Sequence, residues 1–164
     1  MPYNSDINRT KIIMNTNRSK GFTLIELLVV IAIIGVLSAV VLASLSTARS
    51  KGNDAAIRSD LSSIQTQAEI FYGNNGNKYN DGVAVAAGTC DVAGTMFVTD
   101  TTIKNAVSAA NNTNGSGVVN CRSDAGGTVY AISAALTASP GTFFCVDSTG
   151  NATTTVAAIT TTNC

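Results

Sequence analysis

The chain has no histidine and no tryptophan, two prolines among 164 residues, and charged side chains at only 12% of its positions. Each shortage excludes something. Without histidine the commonest general acid–base and a frequent metal ligand are missing. No Ser/Lys, cysteine-based or paired-carboxylate constellation takes its place, so an enzymatic role has no evident carrier and no cofactor is implied. Few charges and few aromatics (5%) imply a thin core that needs covalent help. Formal net charge is zero, and no basic face of the kind that drives nucleic-acid binding is present.

Cysteine is sparse but informative. Cys90, Cys121, Cys145 and Cys164 all lie in the C-terminal half and form no C-x-x-C pair. Zinc sites usually show tighter paired spacing, so two disulfides in an oxidising compartment are the better reading. Four cysteines allow three pairings, and spacing does not choose among them.

Apolar residues are concentrated in one place. From Leu27 to Leu45 the chain runs nineteen residues without a charge, close to the length that crosses a hydrocarbon layer of ~30 Å at ~1.5 Å per residue. A core helix of a small domain would keep a polar face, and this stretch has none, so lipid is its expected surrounding. Ahead of it, residues 1–21 are polar, with Arg9, Lys11, Arg18 and Lys20 against Asp6, and read as a leader. After Gly21, six basic residues face nine acidic ones.

The helix is expected to continue past the apolar run. Ile57, Leu61, Ile64, Ala68 and Phe71 recur at steps of three and four, with Arg58, Asp60, Gln65, Gln67 and Glu69 suited to the outer face. Gly52 and Asn53 weaken the join and allow a kink. The run GNNGN at Gly73–Asn77 ends the helix, because Gly and Asn supply positive φ. A helix from Phe22 to about Tyr72 would measure ~75 Å. Beyond it, Thr102–Ala110 reads as a short helix capped by Asp100 or Thr101. Thr128–Leu136 and Thr142–Val146 read as a hairpin around Ser139–Pro140–Gly141. Ala152–Thr162 is not assigned as a strand; the Thr-rich patch Thr153–Thr162, like Asn111–Gly117, reads as exposed loop or at most an edge.

The densest signal is Ser19-Lys20-Gly21-Phe22-Thr23-Leu24-Ile25-Glu26-Leu27, at the boundary between leader and apolar helix. A small residue at Gly21 lets an extended backbone enter a protease at the membrane surface, while the basic leader stays on the cytoplasmic side. Glu26 is the anomaly. A carboxylate in an apolar helix costs about 2.5–3.5 kcal/mol at mid-bilayer, less near the edge, and usually marks a function. One turn from the start of the helix, it also gains from the helix dipole.

Over roughly residues 18–45, GFTLIELLVVIAIIGVL resembles the N-terminus of type IV pilins and type II secretion pseudopilins. The resemblance implies cleavage between Gly21 and Phe22 by a prepilin peptidase, N-methylation of Phe22, and a role for Glu26 in assembly through pairing with the amine of a neighbouring subunit. It implies an α+β fold, a long N-terminal helix packed on a small antiparallel sheet. The divisions are then leader 1–21, transmembrane and polymerisation helix 22–45, amphipathic helix 46–74 and globular head 75–164. Implied partners are other subunits of the same polymer, the peptidase, an assembly platform in the inner membrane and lipid. The implied location is a bacterial cytoplasmic membrane, single-pass with the head outside, and then an extracytoplasmic filament. The C-terminal cysteines resemble the disulfide-bounded loop of many pilins, which favours Cys145–Cys164 with Cys90–Cys121, the pairing that also closes two local loops. One departure is plain: where many members carry a helix proline, this chain has Ala43, leaving Gly35 as the only weak point in the apolar run.

Rival readings are simpler. The basic region, apolar stretch and Ser46-Thr47-Ala48 imitate a signal peptide cut after Ala48, which would release a secreted binding protein; the length of the run and Glu26 near its start count against it. Arg49, Lys51 and Arg58 follow the run, so charge bias alone orients it only weakly. Asp91, Asp100, Asp124 and Asp147 match no calcium-loop spacing and read as solvated turn residues. Asn111, Asn114 and Asn151 fit N-x-[ST] in a chain where chance matches are common, and are assigned nothing.

Overall fold

The computed structural model describes residues 21–86, 88–115 and 119–164; the leader lies outside them apart from Gly21. The chain divides into two units, one ending at Val40 and one spanning Val41–Cys164. Helix α1 covers Leu24–Asn74 without interruption through Gly52 and Asn53. It starts two residues later than the apolar pattern suggests, because Thr23 caps it. It ends where GNNGN places the end: Gly76 and Asn77 both adopt positive φ, and the Asn77 N–H returns to the Tyr72 carbonyl at 3.0 Å.

Through the first unit, and on as far as Leu45, the helix is apolar on every side. From Phe22 to Leu45 every large apolar side chain is more than half exposed. This is the one helix among the described residues that is long and apolar enough to cross a membrane. Water offers such a surface nothing, so it needs lipid or other protein around it.

Farther along, within the second unit, α1 changes character. Ile57, Leu61, Ile64 and Ala68 are fully buried, forming the stripe expected from the three-and-four spacing. They pack into one cluster with Met96, Phe97, Ile103, Tyr130, Ile132 and Val146. Short helix α2 (Met96–Thr99) and helix α3 (Thr101–Thr113) follow. Asp100 is the cap of α3, its Oδ1 accepting from the N–H groups of Thr102 and Ile103 at 2.8 and 2.9 Å.

Strands β1 (Val119–Ser123), β2 (Tyr130–Ala135), β3 (Phe143–Asp147) and β4 (Ala152–Thr155) form an antiparallel meander in that order. The fold is α+β, as the resemblance implies. The β2–β3 hairpin turns at Ser139–Pro140–Gly141, with Gly141 at φ 84° and the Thr142 N–H on the Ser139 carbonyl at 3.0 Å. Two elements differ from the sequence reading. β1 was not foreseen, since VNCRS alternates no clear apolar face. Ala152–Thr155 is a strand after all, an exposed edge whose Thr153 pairs with Cys145; its register is imposed by the turn before it and not by apolar pattern.

A third correction concerns the polar residues of α1, expected to face outward. Arg58 stacks over the Phe144 ring at 4.7 Å and donates to Thr154 Oγ1 at 3.1 Å. Gln65 donates to the carbonyls of Asp147 and Asn151, Gln67 donates to Asp100 Oδ2, and Glu69 accepts from the Tyr79 hydroxyl. These positions flank the buried stripe, and their long side chains reach over its rim to stitch helix to head. Asp54 does the same at the near end, its Oδ1 accepting from the N–H groups of Thr137 and Ala138 at 2.6 and 3.1 Å.

Candidate functional site

The N-terminal site is built by the helix start. Thr23 and Glu26 stand in the T-x-x-E spacing of a capping box. The Thr23 hydroxyl accepts from the Glu26 N–H at 3.2 Å, while Glu26 Oε2 accepts from the Thr23 N–H at 2.8 Å and from the Thr23 hydroxyl at 3.0 Å. The box satisfies helix donors that would otherwise be orphaned and holds the carboxylate close to Phe22. Among the described residues Oε1 has no hydrogen-bond partner, so one carboxylate oxygen is left for another group. Phe22 is 91% exposed, and a side chain built on Gly21 would meet nothing within 4 Å. Thr23 was missed as a functional residue, although its spacing to Glu26 was legible.

In the head the four cysteines are joined as Cys90–Cys121 and Cys145–Cys164. The sheet separates the two bridges. Cys121 is in register with Ile132 and Val146, whose side chains enter the core against α1. Cys145 is in register with Ser133 and Thr153, on the opposite face. There Cys145 and Ala131 pack with Ile159 and Cys164 from the segment that follows β4.

Three of the four aspartates weighed for calcium are structural and not merely solvated. Asp100 caps α3. Asp124 accepts from the N–H groups of Gly126, Thr128 and Val129 and from the Thr128 hydroxyl. Burial pushes its carboxyl up, but those donors outweigh it and hold it below the ordinary range. Asp147, fully buried, accepts from Thr149 N–H and Oγ1, Asn151 N–H and Nδ2, and the Cys164 N–H. Burial pushes it up, and the Cys164 N–H, the Thr149 hydroxyl and N–H and the Asn151 side chain bring it down to about 2. Their oxygens are filled by the chain's own donors, which is unsuited to a cation. Among the described residues no group of three or more Cys, Asp or Glu is placed to hold a metal ion.

Residues 16–42 match the family model described as the prokaryotic N-terminal methylation motif. The type IV major pilin protein PilA of Myxococcus xanthus is 30% identical over 91 residues, covering 46% of this chain and 41% of that protein. The type IV wide pilus major component PilA4 of Thermus thermophilus is 42% identical over 66 residues, 40% of this chain and 50% of the relative. The type IV major pilin protein PilE1 of Neisseria gonorrhoeae is 39% identical over 102 residues, 59% of each. The chain thus spans about half the length of the relatives it matches. No solved structure is significantly similar to it. A methylation motif at the head of an exposed apolar helix, a four-stranded antiparallel sheet and relatives that are type IV major pilins all support one likeness: over about half of their length, the chain is similar to type IV pilins.

Proposed function

We propose that the protein is a structural subunit of a type IV pilus or of a type II secretion pseudopilus, with the pilus favoured because the relatives carry that name. The observation that carries the reading is the capped apolar helix, more than half exposed at every large side chain, that begins at Leu24 just beyond the Gly21–Phe22 junction. On this reading a prepilin peptidase removes residues 1–21 and leaves Phe22 as the N-methylated first residue. Residues 22–45 hold the subunit in the cytoplasmic membrane, head outside, until an assembly platform passes it into the filament. There the same residues pack against those of other copies. Residues 46–74 serve as the amphipathic helix and 75–164 as the head, whose oxidised cysteines suit the extracytoplasmic side. The role is structural, and no catalysis is proposed.

Glu26 supplies the registry. A carboxylate and an amine are each costly alone in an apolar bundle and neutralise one another when subunits stagger correctly. The capping box points Oε2 inward to Thr23, leaving Oε1 for the Phe22 amine of a neighbour. Two measurements test this. The mature protein should begin at Phe22 and carry one added methyl; a start at Arg49 would overturn the pilin reading in favour of a cleaved signal peptide. Glu26→Gln keeps an acceptor for the box but loses the charge, so processing and membrane fraction should be unchanged while sheared filaments fall at least ~10-fold, as expected for an unpaired amine in low dielectric. Normal filament yield from that variant would remove Glu26 from assembly.

A further inference from the structure

We propose that Asp147 is a positioning residue for disulfide formation: it docks the segment that follows β4 and thereby selects Cys145 as the partner of Cys164. Cys145 and Asp147 are two residues apart on β3, so their side chains share the sheet face away from α1. Residues 156–164 cross that face as a strap. The strap has two attachments that do not involve sulfur. The Ile159 N–H donates to Ser133 Oγ at 3.3 Å, with the Ile159 side chain 6% exposed against Ala131 and Cys145. The Cys164 N–H donates to Asp147 Oδ2 at 2.8 Å. With that N–H held two residues along the strand from Cys145, the Cα atoms of the two cysteines stand 5.8 Å apart, within bridging range.

The order of events follows from sequence separation. Asp147's other four donors come from Thr149 and Asn151, within the β3–β4 turn. Such a local turn closes before a distant strap arrives, so the carboxylate is already oriented when Cys164 reaches it. Oxidation then needs a partner, here a low-molecular-weight disulfide. The thiolate of one cysteine attacks it, forming a mixed disulfide and releasing one small thiolate. The thiolate of the other displaces the second, so the two protein thiols give up two electrons and two protons and the oxidant becomes two thiols. Asp147 takes no part in electron transfer; it raises the effective concentration of Cys164 at Cys145. Cys121, on the core side of the sheet, is out of reach of a strap so docked.

The test uses the full chain in detergent, reduced and equilibrated in glutathione buffers, with thiols trapped and both bridges quantified by peptide mapping. In Asp147→Asn the group facing the Cys164 N–H becomes a donor or a neutral acceptor. The effective concentration of the Cys145–Cys164 pair should fall at least ~5-fold, the scale of a lost charge-assisted hydrogen bond, while Cys90–Cys121 changes less than ~2-fold and bridges joining Cys164 to Cys90 or Cys121 increase. An unchanged Cys145–Cys164 pair, or an equal fall in both bridges, overturns the proposal. A second measurement does not depend on how Asp147→Asn folds. In Cys145→Ala, which cannot form the bridge, hydrogen exchange at the Ile159 and Cys164 amides should remain at least ~10-fold slower than in an open chain. Free exchange at both would mean that sulfur alone holds the strap.

Discussion

The apolar stretch Phe22–Leu45 and the segment Ser50–Glu69 belong to the same continuous helix yet solve opposite problems. In the first, every large apolar side chain is open to its surroundings, and the only polar device is the Thr23–Glu26 box. In the second, four residues are fully buried, and Asp54, Arg58, Gln65, Gln67 and Glu69 bond to groups of the head. Helical geometry is shared; what differs is where the partner of each side chain lies. The second segment finds its partner within the chain, and the first must find it elsewhere.

The sharpest way to break this comparison is one substitution made twice. Leu61→Ala empties a fully buried site and should cost the head about 3 kcal/mol, read as a lower midpoint in denaturant. Leu37→Ala, in the exposed stretch, should leave that midpoint unchanged within ~0.5 kcal/mol. Equal losses would show that the apolar stretch is part of the head's core.

A smaller effect is expected from acid. The Asp147 carboxyl sits at about 2 in the folded head, below an ordinary value of ~3.9 when unfolded. A depressed carboxyl adds stability above its unfolded pKa and loses it as pH falls through the folded one. About 2–3 kcal/mol should therefore disappear between about pH 5 and pH 2. Asp124 acts in the same sense, while Asp60, pushed up by burial, acts weakly against it. Head stability followed against pH should show this slope, and Asp147→Asn should flatten it. A slope unaltered by that variant would move the acid response to other groups.

The smallest effect belongs to the box. Thr23→Ala removes the cap and leaves the Glu26 charge, costing the first turn about 1 kcal/mol. Helicity at the N-terminus should fray in detergent, with filament yield reduced far less than in Glu26→Gln. Equal filament loss in the two variants would make the box, and not the charge, the feature that assembly needs.

Much of this is legible in the sequence. The apolar run, the change to a three-and-four stripe at Ile57, the GNNGN stop and the Asp100 cap are local patterns, and local patterns survive in sequence. β1 and β4 were not legible. VNCRS and ATTT carry no clear alternation, and they become strands because β2 and β3 present open edges in the right place. The polar residues of α1 misled for a related reason: a glutamine beside a buried stripe looks the same whether its partner is water or a carbonyl some eighty residues away.

By itself the sequence determined that this chain has one all-round apolar helix with a T-x-x-E start after Gly21, and four cysteines fit for oxidation. These follow from composition and from spacing within a few residues. Only the tertiary structure decided that the two bridges lie on opposite faces of the sheet, that Asp147 turns its carboxylate to the Cys164 amide, and that Arg58 lies over Phe144. Those facts join residues distant in the chain, and the register of the strands, which no short segment encodes, is what brings them together.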